Sequence, residues 1–236
     1  IIVESYHIQE TEVIGGDSTN FKMVNLSNAD LSSLSMKMEI FPSLSSQIMN
    51  IAQNLIRQPS GCFEQVSSSN YPNIMALRLM QQGNTSNYAI RTKAEKYIQA
   101  GYTKLVSYET PQSGFEWFGK NPPHEALTAY GLLQFHLMKD IGLQVDQTMF
   151  NRNLNWLWDR RDKQGGFKFT TARYDLFSRG KYDVNNAYIT YVLARVSDKD
   201  INPQIDALKQ DLGKKFDGYK MALLVNILQK KGQTNL

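Results

Sequence analysis

The feature that most restricts the fold of this chain is a repeated unit, a Gly-aromatic loop followed by an apolar helical segment. Ser113-Gly114-Phe115 precedes a stretch carrying Leu127-Thr128-Ala129-Tyr130, and Gln164-Gly165-Gly166-Phe167 precedes one carrying Ala187-Tyr188-Ile189-Thr190-Tyr191. The spacing, about 50 to 60 residues, suits stacked helix pairs. Each pair leaves an apolar face that only its neighbours can cover, and a series of them can close into a ring, an α/α toroid. The hydrophobic period agrees over most of the chain. Leu44, Ile48, Ala52, Leu55 and Ile56 form a helical stripe that stops at Arg57-Gln58-Pro59. Further helices are expected from the Cys62 region through Ile74, Leu77 and Met80, and from about Asn87 to Leu105. Asn121-Pro122-Pro123, Asp146, Asp183 and Asn202-Pro203 each open another, and Lys230-Lys231-Gly232 closes the last.

The first 41 residues read differently. Leu34, Met36, Met38 and Ile40 alternate with Ser35, Lys37, Glu39 and Phe41, the period of a half-buried strand. Ile8–Ile14 and Phe21–Leu26 are weaker strand candidates, separated by Gly15-Gly16-Asp17 and Ser27-Asn28-Ala29-Asp30 turn chemistry. Two or three strands make no stable sheet alone and need partners from elsewhere. The expected architecture is therefore mainly α, with a short β segment over 1–41 and a helical body over 42–236.

Composition narrows the function classes. The 236 residues are 42% hydrophobic, with 12 Tyr, 11 Phe and 3 Trp, enough for a core. The net charge of +4 comes from scattered lysines and arginines, so no nucleic-acid partner is implied. No apolar run approaches the roughly 18 residues of a membrane span. No cofactor or metal is implied, because Cys and His do not cluster and no G-x-S-x-G, Walker or G-x-G-x-x-G run occurs. The chain opens at Ile1 with neither an initiator Met nor a signal peptide, so an excised piece of a longer protein is expected.

The chemistry sits in Pro59-Ser60-Gly61-Cys62-Phe63-Glu64-Gln65, which holds the single cysteine. If Cys62 to Gln65 begin a helix, positions i and i+3 lie on one face. A thiolate there can attack the Gln65 amide carbon, expel ammonia and leave an internal thioester. The N–H groups and dipole of a helix start favour a thiolate at that position. A bare C-x-x-Q would more often hold an inert buried thiol.

The run resembles the thioester motif of the α-macroglobulin and complement family, GCGEQ after a proline-containing lead, and its continuation VSSSNYPNIMAL is similar too. Phe63 departs from the usual central glycine, while Gly61 and Glu64 keep to the motif. GFEWFGKNPPHEALTAYGLLQF and QGGF…NNAYITYVL resemble the loops and helices downstream of the thioester. MEIFPSLSSQIMN resembles the entry from the adjoining small, CUB-like β domain. The resemblance implies a ring of six helix pairs, so with about eight helices the ring looks unfinished at Leu236. It also implies a large extracellular or periplasmic protease inhibitor, cut by its target protease in a bait region that this chain lacks. A lysine amine of that protease would attack the Gln65 acyl carbon, giving an amide and a free Cys62 thiol. Such a group is spent once, so the chain would not be an enzyme. The remaining domains of the parent, target proteases and other amine-bearing surfaces are the implied partners.

Two other readings share part of the pattern. An adhesin-type thioester domain, which anchors a cell to host amines, uses the same Cys and Gln without this helical context. A terpenoid cyclase shares the toroid but needs an acidic cluster, and Asp159, Asp162 and Asp175 are dispersed. Of the histidines His7, His124 and His136, only His124 is a candidate acyl-transfer residue. It lies at a helix start beside Pro123 and Glu125, where a capping role is the ordinary expectation. Some complement relatives carry a histidine in the loop matching Lys168–Asp183, and here that loop holds Tyr174, Asp175 and Ser178 instead. Trp117, Phe118, Trp156 and Trp158 could line a cavity, although packing between helices is their commoner use.

Overall fold

Packing partners divide the helices into two layers. Helices α1 (Phe63–Gln82), α3 (Glu125–Asp140), α5 (Tyr182–Val196) and α7 (Gly218–Lys230) form one layer, α1 packing on α3, α3 on α5 and α5 on α7. Helices α2 (Tyr88–Val106), α4 (Gln147–Asp159) and α6 (Asn202–Lys214) lie outside, on α1, on α3, and on α5 and α7 respectively. Eleven of the 16 residues of α3 are buried, because it is covered on several sides. Only Ala94, Ile98, Gly101 and Leu105 are buried among the 19 of α2, one narrow stripe of an otherwise solvated helix. The mainly helical body with an inner and an outer layer is the α/α-toroid architecture expected from the repeat. The computed structural model describes residues 53–82, 88–120, 122–170 and 181–232, with 23, 30, 32, 34, 35, 37, 38, 40, 50 and 51.

The chain divides into two units, Ile1–Ile40 and Phe41–Leu236. In the first, Asp30 Oδ1 accepts from the Ser32 N–H at 2.9 Å, the turn chemistry read there. Leu34, Ser35, Lys37, Met38 and Ile40 belong to neither helix nor strand, and Leu34, Met38 and Ile40 are exposed. The half-buried strand expected over 34–40 is thus not formed at its described positions, as follows for a strand without a sheet to join. The candidates Ile8–Ile14 and Phe21–Leu26 lie outside the described residues, apart from Met23.

The two Gly-Phe loops are the same structure twice. Thr110 N–H donates to Gly114 O in the first, and Asp162 N–H to Gly166 O in the second. Glu109 bridges Phe115, and Arg161 bridges Phe167. Both phenylalanines are fully buried, and each donates its N–H to the next inner helix: Phe115 to Thr128 Oγ1 at 2.8 Å, Phe167 to Asn186 Oδ1 at 3.1 Å. Gly114 (φ +80°) allows the tight approach, since a Cβ there would stand 2.7 Å from Pro123 Cβ.

Among the described residues, helix starts follow the sequence signals with two exceptions. Asp146 caps α4, accepting from Thr148 and Met149 N–H. At α3 the cap is His124 and not the Asn121-Pro122-Pro123 run. At α5 the preceding residue is Lys181, and Asp183, read as the opener, instead binds the buried Lys220 Nζ at 2.6 Å.

Candidate functional site

The chain reaches α1 through a pinned segment. Asn73, fully buried on α1, accepts from Arg57 N–H at 2.9 Å and donates to Arg57 O at 2.7 Å, so one side chain holds both sides of that residue's backbone. Four residues on, Gly61 turns the chain with φ +95°, in the region that favours glycine. A Cβ at Gly61 would fall 2.0 Å from Gln65 Oε1, so the glycine is also required by space.

Cys62 immediately precedes α1, and its carbonyl accepts the Val66 N–H at 2.9 Å, the first helical bond. Its N–H donates to Gln65 Oε1 at 3.1 Å. This is one half of a capping box, in which the side chain three residues into the helix returns to the cap N–H. The same bond pulls electron density toward Oε1 and leaves the Gln65 amide carbon more electrophilic. Cys62 is half-buried and Gln65 exposed, at the positive end of the helix dipole. The sequence spacing thus brings Cys62 and Gln65 to one helix start.

Phe63, the departure from the motif's glycine, is fully buried. Its ring stacks on Phe115 at 5.1 Å and enters a notch on α3, where a Cβ on Gly131 would stand 3.0 Å from Phe63 Cζ. A missing side chain on α3 therefore accommodates an added one on α1.

Tyr108 and Trp117, from the first Gly-Phe loop, grip this turn from outside. Tyr108 hydroxyl donates to Gly61 O at 2.6 Å. Trp117 O accepts Phe63 N–H at 3.0 Å, and its indole N–H donates to Glu64 Oε2 at 3.1 Å. Burial raises the Tyr108 pKa, and the charge of a Cys62 thiolate adds to it, so the phenol lies within electrostatic reach of the sulfur. None of these partners was singled out in the sequence except Trp117, which proves to be a packed clamp.

His124 packs edge-to-face against Trp117, ring centroids 5.0 Å apart, and is almost fully buried. Its Nδ1 accepts the Leu127 N–H at 3.3 Å as the cap of α3, which puts the proton of a neutral ring on Nε2. Beside it Glu125, with no exposed surface, accepts from Arg160 Nε at 2.7 Å and from Thr170 N–H and hydroxyl at 3.0 Å. His136 stands mid-helix, 3.7 Å from Asp140. Tyr174, Asp175 and Ser178 lie outside the described residues.

A separate cavity of about 360 Å³ opens on the inner layer. It is lined by Tyr71, Tyr130, Tyr188, Tyr191 and Tyr219 rather than by the tryptophans considered for such a role. Trp117 and Trp158 are buried in packing, and each of those tyrosines comes from a helix whose periodicity reads as core. Burial pushes the Tyr130 phenol up to about 12 and the Tyr188 phenol well above its ordinary value, so both stay neutral donors. Among the described residues no cluster of His, Cys, Asp and Glu could hold a metal, and no helix is long and apolar enough to cross a membrane.

Comparison with known proteins agrees with this geometry. The family model for the A-macroglobulin TED domain matches residues 34–218. Two alleles of thioester-containing protein 1 of Anopheles gambiae, S3 and S1, are each 23% identical over 198 residues, 84% of this chain and 15% of the relative's length. Salmonella alpha-2-macroglobulin reacted with methylamine has the same fold, with a TM-score of 0.59 and 19% identity over 83% of this chain and 12% of its own. Native alpha-2-macroglobulin from Escherichia coli, from domain MG7 to the C-terminus, gives 0.58 and 19% identity, covering 79% of this chain and 29% of its own. The chain is a thioester domain of the macroglobulin and complement family. It spans a small part of the multidomain relatives it matches.

Proposed function

We propose that this domain traps target proteins covalently, through a thioester between Cys62 Sγ and the Gln65 acyl carbon. The observation that carries the reading is the hydrogen bond from Cys62 N–H to Gln65 Oε1 at the start of α1. It holds the pair at i, i+3 and faces a donor toward the oxygen on which charge collects when sulfur or an amine adds to the carbon. Gly61, Phe63 and Glu64 serve the geometry, each held by a contact already described. The product would be an amide to a lysine amine and a free thiol, a single-use reagent and not a turnover catalyst. The family background supports a protease-inhibitor parent, working outside the cell or in the periplasm, with proteases and other amine-bearing surfaces as targets. Residues 1–41 are read as part of an adjoining β domain, which fits the residues ahead of the family match at 34.

His124 is better read as a structural cap than as an acyl carrier, because its Nδ1 is committed to Leu127 and its ring is packed on Trp117. Direct attack then favours amines, which are stronger nucleophiles toward a thioester than alcohols. The test is competition between labelled methylamine and glycerol. Amide formation should dominate, survive His124→Ala in the folded variant and vanish in Cys62→Ala and Gln65→Ala. Efficient ester formation that disappears in His124→Ala would make His124 the acyl carrier and overturn the amine preference.

A further inference from the structure

Tyr108 lies outside the motif, yet it is bound to the one peptide on which the motif's chemistry depends. Its hydroxyl donates to Gly61 O at 2.6 Å. The N–H of the same peptide unit, carried by Cys62, donates to Gln65 Oε1 at 3.1 Å. A trans peptide is planar, with C=O and N–H directed oppositely, so fixing one fixes the other. Glycine at φ +95° is the residue that most readily lets such a peptide turn over, so its orientation needs an outside hold. A hydrogen bond to the carbonyl also polarises the unit and strengthens its N–H as a donor.

We propose that Tyr108 is a positioning residue for the acyl chemistry: its hydroxyl locks the 61–62 peptide so that Cys62 N–H serves as the oxyanion donor to the Gln65 acyl oxygen. The inference rests on the reading of Cys62 and Gln65 as a thioester pair. In bond formation the sulfur adds to the Gln65 amide carbon and Oε1 takes the negative charge. The C–N bond then breaks, and nitrogen leaves as ammonia with the proton of the thiol. In the later step an amine adds to the same carbon, Oε1 is charged again, the C–S bond breaks, and the amine's proton passes to sulfur. Both tetrahedral species put their charge on the atom that Cys62 N–H faces. Tyr108 keeps its own proton throughout, and burial, which raises its pKa, keeps it a donor at neutral pH.

The ring has its own anchor, an edge contact with Phe63 at 6.4 Å, so the hydroxyl can be removed without removing the packing. In the second Gly-Phe loop the corresponding residue is Arg160, whose backbone carbonyl accepts from Lys168 as that of Tyr108 accepts from Glu116. The phenol therefore belongs to the loop that meets the cysteine and not to the repeat.

The test is Tyr108→Phe in the full chain. The methylamine rate is measured together with the infrared carbonyl band that methylamine removes, which is the band of the thioester itself. The rate should fall roughly tenfold, less than the hundredfold or more typical of deleting an oxyanion donor outright. The band should move to higher wavenumber, as a carbonyl does when a hydrogen bond to it weakens, and the melting temperature should stay near that of the wild type. A wild-type rate in the variant overturns the proposal. So does a slower rate with an unmoved band, which would mean packing alone. If the wild-type chain takes up no methylamine, the thioester reading falls and this inference falls with it.

Discussion

Two inner helices begin in nearly the same way and do different things. Cys62 precedes α1 and His124 precedes α3; Phe63, next to the first, donates its N–H to Trp117 O, and the His124 ring packs against the Trp117 ring. At α3 the cap side chain accepts the N–H three residues on, His124 Nδ1 from Leu127. At α1 the direction is reversed, and the side chain three residues on, Gln65, accepts the cap N–H. The two halves of a capping box are thus divided between two helices. Only the second arrangement puts an acyl carbon beside a thiol. Each start is also gripped by the Gly-Phe loop that follows: Tyr108 and Trp117 hold α1, while Arg160 and Thr170 hold Glu125 on α3. The scaffold is repeated; the reactive pair is an addition to one copy of it.

The strongest way to break the comparison is at Phe63, which wedges α1 against α3. Phe63→Ala should cost about 4 kcal/mol, as for other buried phenylalanines. Gly131→Ala alone should also destabilise, since its Cβ would stand 3.0 Å from Phe63 Cζ and 3.3 Å from Phe115 Cδ2. In the Phe63→Ala background the same change should become favourable, by up to about 1 kcal/mol of helix propensity. Denaturant titration of the four proteins checks this reversal of sign, and additive costs would contradict the wedge.

At the α3 start, Glu125→Ala should cost about 3 kcal/mol, because it strands Arg160 and the Thr170 N–H that now share a buried carboxylate. Glu64→Ala, at an exposed position on α1, should cost under about 1 kcal/mol. Thermal melts would separate the two. The folded fraction of Glu125→Ala should still react with methylamine, since that carboxylate holds the scaffold and not the pair.

The smallest effect concerns pH. Burial lowers the His136 pKa below its ordinary 6.5, with Asp140 opposing and Arg195, Lys139 and Lys230 reinforcing. The folded state therefore binds this proton less readily than the unfolded chain. Its contribution is complete above pH 6.5 and declines as pH falls from there toward the folded value. His136→Gln should flatten that part of the stability profile, as read by urea midpoints across the window.

What the sequence disclosed depended on how local the cause was. The cap at Asp146, the stop at Gly232 and the i, i+3 relation of Cys62 and Gln65 are decided within a few residues, and they were legible. The helix-pair repeat was legible because glycine and phenylalanine recur at matching places. The pairing of Phe63 with Gly131 was not, because it joins residues on two helices that only the packed fold makes neighbours. Tyr108 carries no local sequence signal, because its value lies in a bond to Gly61, 47 residues earlier. Glu125 read as a helix-start acid, while its role depends on Arg160 and Thr170. The tyrosine cavity gathers side chains from four helices; Tyr130, Tyr188 and Tyr191 stood out as part of the repeat, but their meeting with Tyr71 and Tyr219 depends on the packed fold. The strand pattern over 34–40 was visible in the sequence, but a pattern of two supplies one side of a sheet and cannot supply its partner.

The account rests on a covalent bond between Cys62 and Gln65, and intact mass tests it most directly. The chain should weigh about 17 Da less than its sequence, the ammonia lost when a thiolate displaces an amide nitrogen. Methylamine should then add at Gln65 and release one titratable thiol. A chain of full sequence mass that has a free thiol from the start, still carries glutamine at position 65 and does not react with methylamine would contradict it.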